Sequence, residues 1–195
     1  MSDEIIFRRG PRVTLRPLHE DDAPILTKWI NDPLITQFVQ AYLPTMEMEE
    51  RDWIKGLISR KGNNIVVMLV VDSKPIGTMG IHAIDYRHRI ATTGALIGEP
   101  EYWGKGYGNE AKMLLLEYAF NTLNLRKICS EVIAFNERST KYSLKCGYKV
   151  DGGPKKLHHY AKGQYWDVIQ LAVFREDWLP IWEIFYEKHK DALVI

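Results

Sequence analysis

Residues 101–110 read Glu-Tyr-Trp-Gly-Lys-Gly-Tyr-Gly-Asn-Glu, three alternating glycines that run directly into a strongly amphipathic stretch. Ala111, Leu114, Leu115, Tyr118 and Ala119 recur at i, i+3, i+4, i+7 and i+8, the spacing of one helical face. Glycine lets a backbone turn sharply and approach a ligand closely. The free N–H groups of the helix's first turn then point at that ligand, and the helix dipole favours an anion. A phosphate or pyrophosphate fits such a place. The spacing is not that of a P-loop, because Lys105 is followed by Gly106 and not by a magnesium-binding Ser or Thr. Nor is it a dinucleotide fingerprint: Gly104, Gly106 and Gly108 form GxGxG, well after a strand and deep in the chain.

The elements around the loop predict a mixed α/β domain. Val13–Arg16 alternates as a short strand ended by Pro17, and Glu20–Asn31 follows as a helix with Asp21 and Asp22 at its positive end. Leu34–Pro44 has no clean period. Thr45 is the expected N-cap of a second helix that carries Trp53, Ile54, Leu57 and Ile58 and ends at Lys61-Gly62. Ile65–Val71 and Ile76–Ile84 form a hairpin, and Ala91–Gly98 is a further strand. After the glycine-loop helix come a strand at Lys127–Ala134 and a helix at Glu137–Lys145. A last hairpin runs from Tyr148 towards Tyr160 and back through Trp166–Val173, and Arg175–Lys188 closes the chain as a helix. The order implies one sheet with helices on both sides.

Composition narrows the function. Twenty-six Lys and Arg against 25 Asp and Glu give 195 residues a formal charge of +1, which argues against a nucleic-acid binder. Cys129 and Cys146 form no CxxC or paired framework, consistent with free thiols in a cytoplasmic protein. Met1–Arg9 carries Asp3 and Glu4 and lacks a signal peptide's apolar core, and no run approaches a membrane span's ~20 residues. The adjacent His158 and His159 point to opposite faces of a strand and do not form a chelating pair, so no metal is expected.

Tyr102–Gly108 resembles the acetyl-CoA pyrophosphate loop of the GNAT N-acetyltransferases, above all the RimJ/RimL-like branch that also includes spermidine acetyltransferases. Val13–Leu18 with Asp21-Asp22, Ile76-Gly77, Asn124–Ile128, Asn136–Ser139, Gly147-Tyr148 and Gly163–Asp167 follow in the family's order. The resemblance covers roughly residues 12–178, implying a GNAT domain there and a C-terminal helical extension at 179–195 that packs on the domain or on a second subunit in a homodimer. It implies a central sheet of about seven strands, in which those at 91–98 and 127–134 splay apart to hold acetyl-CoA. Leu96, Ile97 and Gly98 would then bind the pantetheine arm, while Trp103, Gly104, Lys105, Gly106, Tyr107, Gly108 and Asn109 would surround the pyrophosphate. Asn136 and Ser139 would stand beside the thiol, with Asn136 also suited to cap its helix.

Acetyl transfer needs a neutral amine, a polarised thioester and a proton for the leaving thiolate. Backbone N–H groups near Ile97 and Gly98 are expected to bind the carbonyl oxygen. Many family members place a tyrosine four residues before the glycine at 147; here that position is Ser143, so the resemblance points to Ser139 as the acid, with Tyr142 in reserve. Glu99, Glu131, His82 and Asp85 are the candidate bases. A peptide α-amine is roughly 10–20% neutral at pH 7, whereas a lysine-like amine is neutral only to about 0.04%, a difference of about 3.5 kcal/mol. An N-terminal acceptor therefore asks less of a base, and the resemblance to the RimJ/RimL-like branch makes a protein N-terminus the expected acceptor, attacked directly in a ternary complex. A polyamine, an aminoglycoside or an amino-sugar is the alternative, with Glu47, Glu49, Glu50 and Asp52 as a carboxylate cluster. A non-catalytic CoA sensor or scaffold is the alternative of another class. Trp29, Phe38, Tyr42 and Trp53 gather where the family places its acceptor groove.

Overall fold

A computed structural model describes residues 5–39, 41–59 and 62–195, with only the backbone at 58 and 59. Nine strands among these residues form one sheet: β1 (Arg8–Arg9), β2 (Thr14–Pro17), β3 (Ile65–Val71), β4 (Lys74–Asp85), β5 (Ile90–Ile97), β6 (Lys127–Ile133), β7 (Lys149–Val150), β8 (Lys155–Ala161) and β9 (Gln164–Phe174). They run in the order β1-β2-β3-β4-β5-β6-β9-β7, with β8 also on β9. The count exceeds the expected seven for two reasons. The short β1 adds an edge, and the stretch read as one strand from Tyr148 towards Tyr160 is two, β7 beside Ala172 and Leu171 and β8 beside Val168 to Gln164.

β3 shows how the layers form. Its continuous apolar sequence is that of a strand buried on both faces. Met68 and Val70 meet Ala23, Leu26 and Trp29 of α1 (Ala23–Ile30) and Ile54 of α3 (Glu47–Ser59). Val67, Leu69 and Val71 join the larger core with Ala111, Leu114 and Leu115 of α4 (Tyr107–Glu117) and Trp178 and Trp182 of α6 (Arg175–His189). The expected division at residue 178 falls inside α6, and Trp182 beyond it is buried in the same core as Trp178.

Two local readings are corrected, and the segment read as a loop with room for a helical turn is made specific. The first α-helix starts at Ala23, after a 3-10 turn at Glu20–Asp22, because the Asp22 carboxylate is taken by Arg16 at 2.7 and 2.8 Å and by the His19 N–H. Helix α3 begins at Glu47, so Thr45 does not cap it; the Glu49 carboxylate instead folds back to accept the Met46 N–H at 2.7 Å. A short helix, α2 (Pro33–Thr36), occupies part of the segment without period, capped by Asp32. The expected end of α3 at Lys61, like Met1–Glu4, lies outside the described residues.

The feature that shapes the site is the parting of β5 and β6. These parallel neighbours pair only over Ile90–Thr92 and Lys127–Cys129. One step further, side chains replace the ladder: Ser130 Oγ donates to the Thr93 carbonyl at 3.4 Å, and Thr93 Oγ1 meets Tyr148 Oη at 2.8 Å. Beyond that pin β6 stays with β9 while β5 stays with β4, and a gap opens between them.

Candidate active site

A cavity of about 1010 Å³ occupies the gap and continues to the glycine loop. Its floor on one side is β5, whose register sets the backbone polarity. Gly98 N–H donates to the Ile76 carbonyl at 2.9 Å, which makes Gly77 and Ile97 a non-hydrogen-bonded pair. By the alternation of an antiparallel ladder, the N–H and C=O groups of Ala95 and Ile97 therefore point away from β4, into the gap. The Ile97 C=O takes the Trp103 indole N–H at 2.8 Å, and the other three groups offer an extended amide-bearing ligand the contacts of a neighbouring strand. The same register corrects the expectation for the thioester oxygen: the Gly98 N–H is already engaged, and the Ile97 N–H is the one that faces the cavity. Gly98 instead provides a flat seat for the Trp29 indole, which occupies the space a Cβ there would need.

The loop turns through two left-handed residues, Gly104 at φ 75° and Gly106 at φ 89°. Gly106 is the N-cap of α4, and the first helical bond returns from Glu110 N–H to its carbonyl at 3.1 Å. The N–H groups of Tyr107, Gly108 and Asn109 precede that bond and are left for a ligand, with the helix dipole behind them. The buried Glu110 carboxylate fixes this turn from below, accepting the N–H groups of Arg12 and Val13 at 2.7 and 2.8 Å and the Arg12 guanidinium at 3.0 Å.

Of the residues expected to bind the cofactor, Leu96, Ile97, Trp103, Gly104, Gly106, Gly108, Asn109, Asn136 and Ser139 line this cavity. Gly98, Lys105 and Tyr107 do not. Tyr107 packs on Tyr102 with Arg12 over its ring, and the Lys105 carbonyl accepts from Arg12 at 3.0 Å. Asn136 caps its helix as expected, its side chain accepting the Ser139 N–H at 3.2 Å as the N-cap of α5 (Glu137–Lys145).

Ser139 and Tyr142 stand together on the cavity wall. Burial, then the nearby Cys146, push the Tyr142 phenol above its ordinary range, while the hydroxyls of Ser139 and Ser143 pull the other way; the phenol stays protonated. Glu99 lies apart from the cavity, its carboxylate accepting from the Trp29 indole at 3.0 Å and from Lys28 at 3.2 Å. Glu131 lines the cavity but is paired to Lys155, and Asp85 accepts the His88 N–H in a turn. His82 lines it as well.

Three cations went unrecognised in the sequence. Arg138, Lys141 and Lys145 sit at i, i+3 and i+7 of α5 and all line the cavity, Arg138 with its guanidinium 4.1 Å from the Trp103 ring. Their helical spacing was the available signal. A second cavity of about 330 Å³ adjoins the first, sharing Val39, His82, Gly94, Ala95 and Leu96. Trp29 and Trp53 line it, Phe38 lines the larger one, and Tyr42 lies 87% exposed on neither. Among the described residues no His, Cys, Asp and Glu cluster is arranged for a metal ion, and no helix is long and apolar enough to cross a membrane.

Residues 12–149 match the acetyltransferase (GNAT) domain family. Spermidine N(1)-acetyltransferase of Escherichia coli K12 is 28% identical over 170 residues, 86% of this chain and 88% of that protein. The putative ribosomal N-acetyltransferase YdaF of Bacillus subtilis is 27% identical over 116 residues, 60% of this chain and 62% of its own. Among solved structures, spermidine N-acetyltransferase from Vibrio cholerae in complex with CoA and spermine superposes with a TM-score of 0.78 at 24% identity, over 86% of this chain and 98% of that one. These are proteins the chain is similar to, and the last likeness concerns the fold.

Proposed function

The chain belongs to the acetyltransferase (GNAT) family, and from that premise we propose that it moves the acetyl group of acetyl-CoA onto the α-amine of a protein N-terminus by direct attack in a ternary complex. The observation that carries this reading is one continuous cavity joining a strand edge, an anion-binding helix start and a pair of hydroxyls. The pantetheine arm enters along the edge of β5, its amide nearest the loop on the Ile97 N–H. The pyrophosphate rests on the N–H groups of Tyr107, Gly108 and Asn109, and Arg138, Lys141 and Lys145 offer charge to the remaining phosphate.

The chemistry then follows from position. The Ala95 N–H, one ladder step deeper into the gap, polarises the thioester oxygen, the amine lone pair attacks the carbonyl carbon, and the C–S bond breaks. The thiolate takes a proton from Ser139, with the Tyr142 phenol adjacent as the alternative donor. No acetyl-enzyme is needed, because amine and thioester meet in one space.

A polyamine acceptor is the second reading, favoured by the relatives named for spermidine. The carboxylates that such a cation would seek are mostly engaged: Glu47 holds Arg51 at 2.7 Å and Glu49 holds the start of α3. Only Glu50 of that cluster reaches a cavity. Free-thiol release from acetyl-CoA in the presence of a peptide with a free N-terminus, against spermidine, separates the two.

A further inference from the structure

Gly80 and Gly94 face each other across β4 and β5. His82, two residues along from Gly80 on the same face, folds its ring back over both. A Cβ on Gly80 would collide with the imidazole Nε2, and one on Gly94 would stand 3.5 Å from it. Glycine at 80 is what leaves room for the ring there, while a side chain at 94 would only touch it. That seat is at the seam of the two cavities, since His82, Gly94, Ala95 and Leu96 wall both. The smaller cavity is otherwise largely apolar, with Leu26, Trp29, Trp53 and Met79 and the one carboxylate of Glu50.

The other basic candidates are committed elsewhere: Glu99 to Trp29 and Lys28, Glu131 to Lys155, Asp85 to a turn. We propose that His82 takes the proton from the acceptor amine, and that the smaller cavity receives the apolar body of that acceptor, the first side chain of a peptide N-terminus. This rests on the acetyl-transfer reading above. In the step, the amine nitrogen forms the N–C bond as the C–S bond breaks. Its surplus proton passes to the imidazole Nε2, the thiolate is protonated from α5, the imidazolium returns its proton to solvent, and the α5 hydroxyl regains one from solvent.

The electrostatics agree with the geometry. Burial, and then the charge of Lys112 from α4, hold the His82 imidazole below its usual value of 6.5, so the ring is a neutral acceptor at pH 7. Glu50 faces the seam from α3, Tyr142 from α5, and Glu131 from β6 with its charge matched by Lys155. An α-amine near 7.7–8.0 gives its proton to such a ring far more readily than an amine near 10.4.

The test uses the full chain, acetyl-CoA and synthetic peptides beginning with leucine or aspartate. For the leucine peptide, His82→Asn is expected to lower kcat/KM by about 100-fold. The acid limb below pH 6.5 should vanish, and the Kd for acetyl-CoA should not change. Gly80→Ala, which keeps the histidine but fills its seat, should fall similarly, with the double variant no slower than either single one. Gly80→Ala also carries the decision should His82→Asn fail to fold. Wild-type rate and an intact acid limb in either folded variant overturn the role of His82. Equal kcat/KM for the leucine and aspartate peptides overturns the apolar pocket. A wild-type protein that binds acetyl-CoA and releases no thiol with any amine overturns the transfer reading itself, a result distinct from a wild type that turns over and a variant that matches it.

Discussion

The Trp103 indole donates its Nε1 proton to the Ile97 carbonyl at 2.8 Å, tying the glycine loop to the free edge of β5. The bond fixes the start of α4 relative to the β5 edge proposed for the pantetheine arm. Trp103→Phe keeps the aromatic packing against Phe38 and Arg138 but loses this bond. A net hydrogen bond of about 1 kcal/mol predicts that loss in the stability of the free protein, read by thermal melting, and the release of the loop from β5 predicts a weaker Kd for acetyl-CoA, read by titration calorimetry.

Two of the loop glycines, Gly106 and Gly108, should separate. Gly106 has φ 89°, and a Cβ there would come 3.2 Å from the Arg12 guanidinium, so Gly106→Val should cost at least 1–2 kcal/mol of stability in addition to blocking phosphate approach. Gly108 is helical, and a Cβ on it meets nothing within 4 Å. Gly108→Ala should therefore raise the stability of the free protein by about 0.5 kcal/mol while weakening acetyl-CoA binding, because the added methyl projects into the ligand's space. Equal affinity in Gly108→Ala would remove the phosphates from this turn.

Ser139→Ala should lower kcat by about 10–100-fold and leave the Kd for acetyl-CoA within 2-fold. A wild-type rate in Ser139→Ala with a loss in Tyr142→Phe would move the donor to the phenol. Single-turnover kinetics with a peptide acceptor decides between them.

Lys112 is fully buried under the site, its Nζ without a hydrogen-bond partner among the described residues, 5.6 Å from the Tyr148 ring. Burial pulls its pKa down to about 8, against a smaller upward pull from Cys146. The folded state therefore releases this proton near pH 8 while the unfolded chain holds it to about 10.5, and stability must rise with pH from 8 upwards. Cys146 opposes it above pH 9, since burial pushes that thiol up to about 12 and the unfolded chain loses the proton first. Urea unfolding should thus show stability rising between pH 8 and 9, and Lys112→Met should be more stable at pH 7 and lose that rise.

How far the sequence reached follows from which interactions are local. The helical periods of 111–119 and 137–145 and the apolar run of β3 are set by neighbours in the chain, and their elements lie where the pattern puts them. The anion loop was legible for the same reason, as its glycines and helix are contiguous. The parting of β5 from β6 was not derivable from composition or period. It depends on where Thr93, Ser130 and Tyr148 pin two strands 36 or more residues apart, and came only through family resemblance. Gly98 was misjudged as a donor because its partner, Ile76, lies across the sheet. His82 could be named but not ranked, since its place at the seam of two cavities depends on Gly94, Ala95 and Leu96 of another strand. The cations of α5 were in plain view at i, i+3 and i+7.

Acetyl transfer is read most directly by following free CoA thiol while the purified protein turns over acetyl-CoA with three acceptors: a peptide with a free α-amine, an Nα-blocked copy carrying a lysine, and spermidine. The predicted result is thiol release with the free α-amine alone, and fragment masses that place the acetyl group on the N-terminal nitrogen. Acetyl-CoA bound without thiol release on all three, or release with spermidine alone, would contradict it.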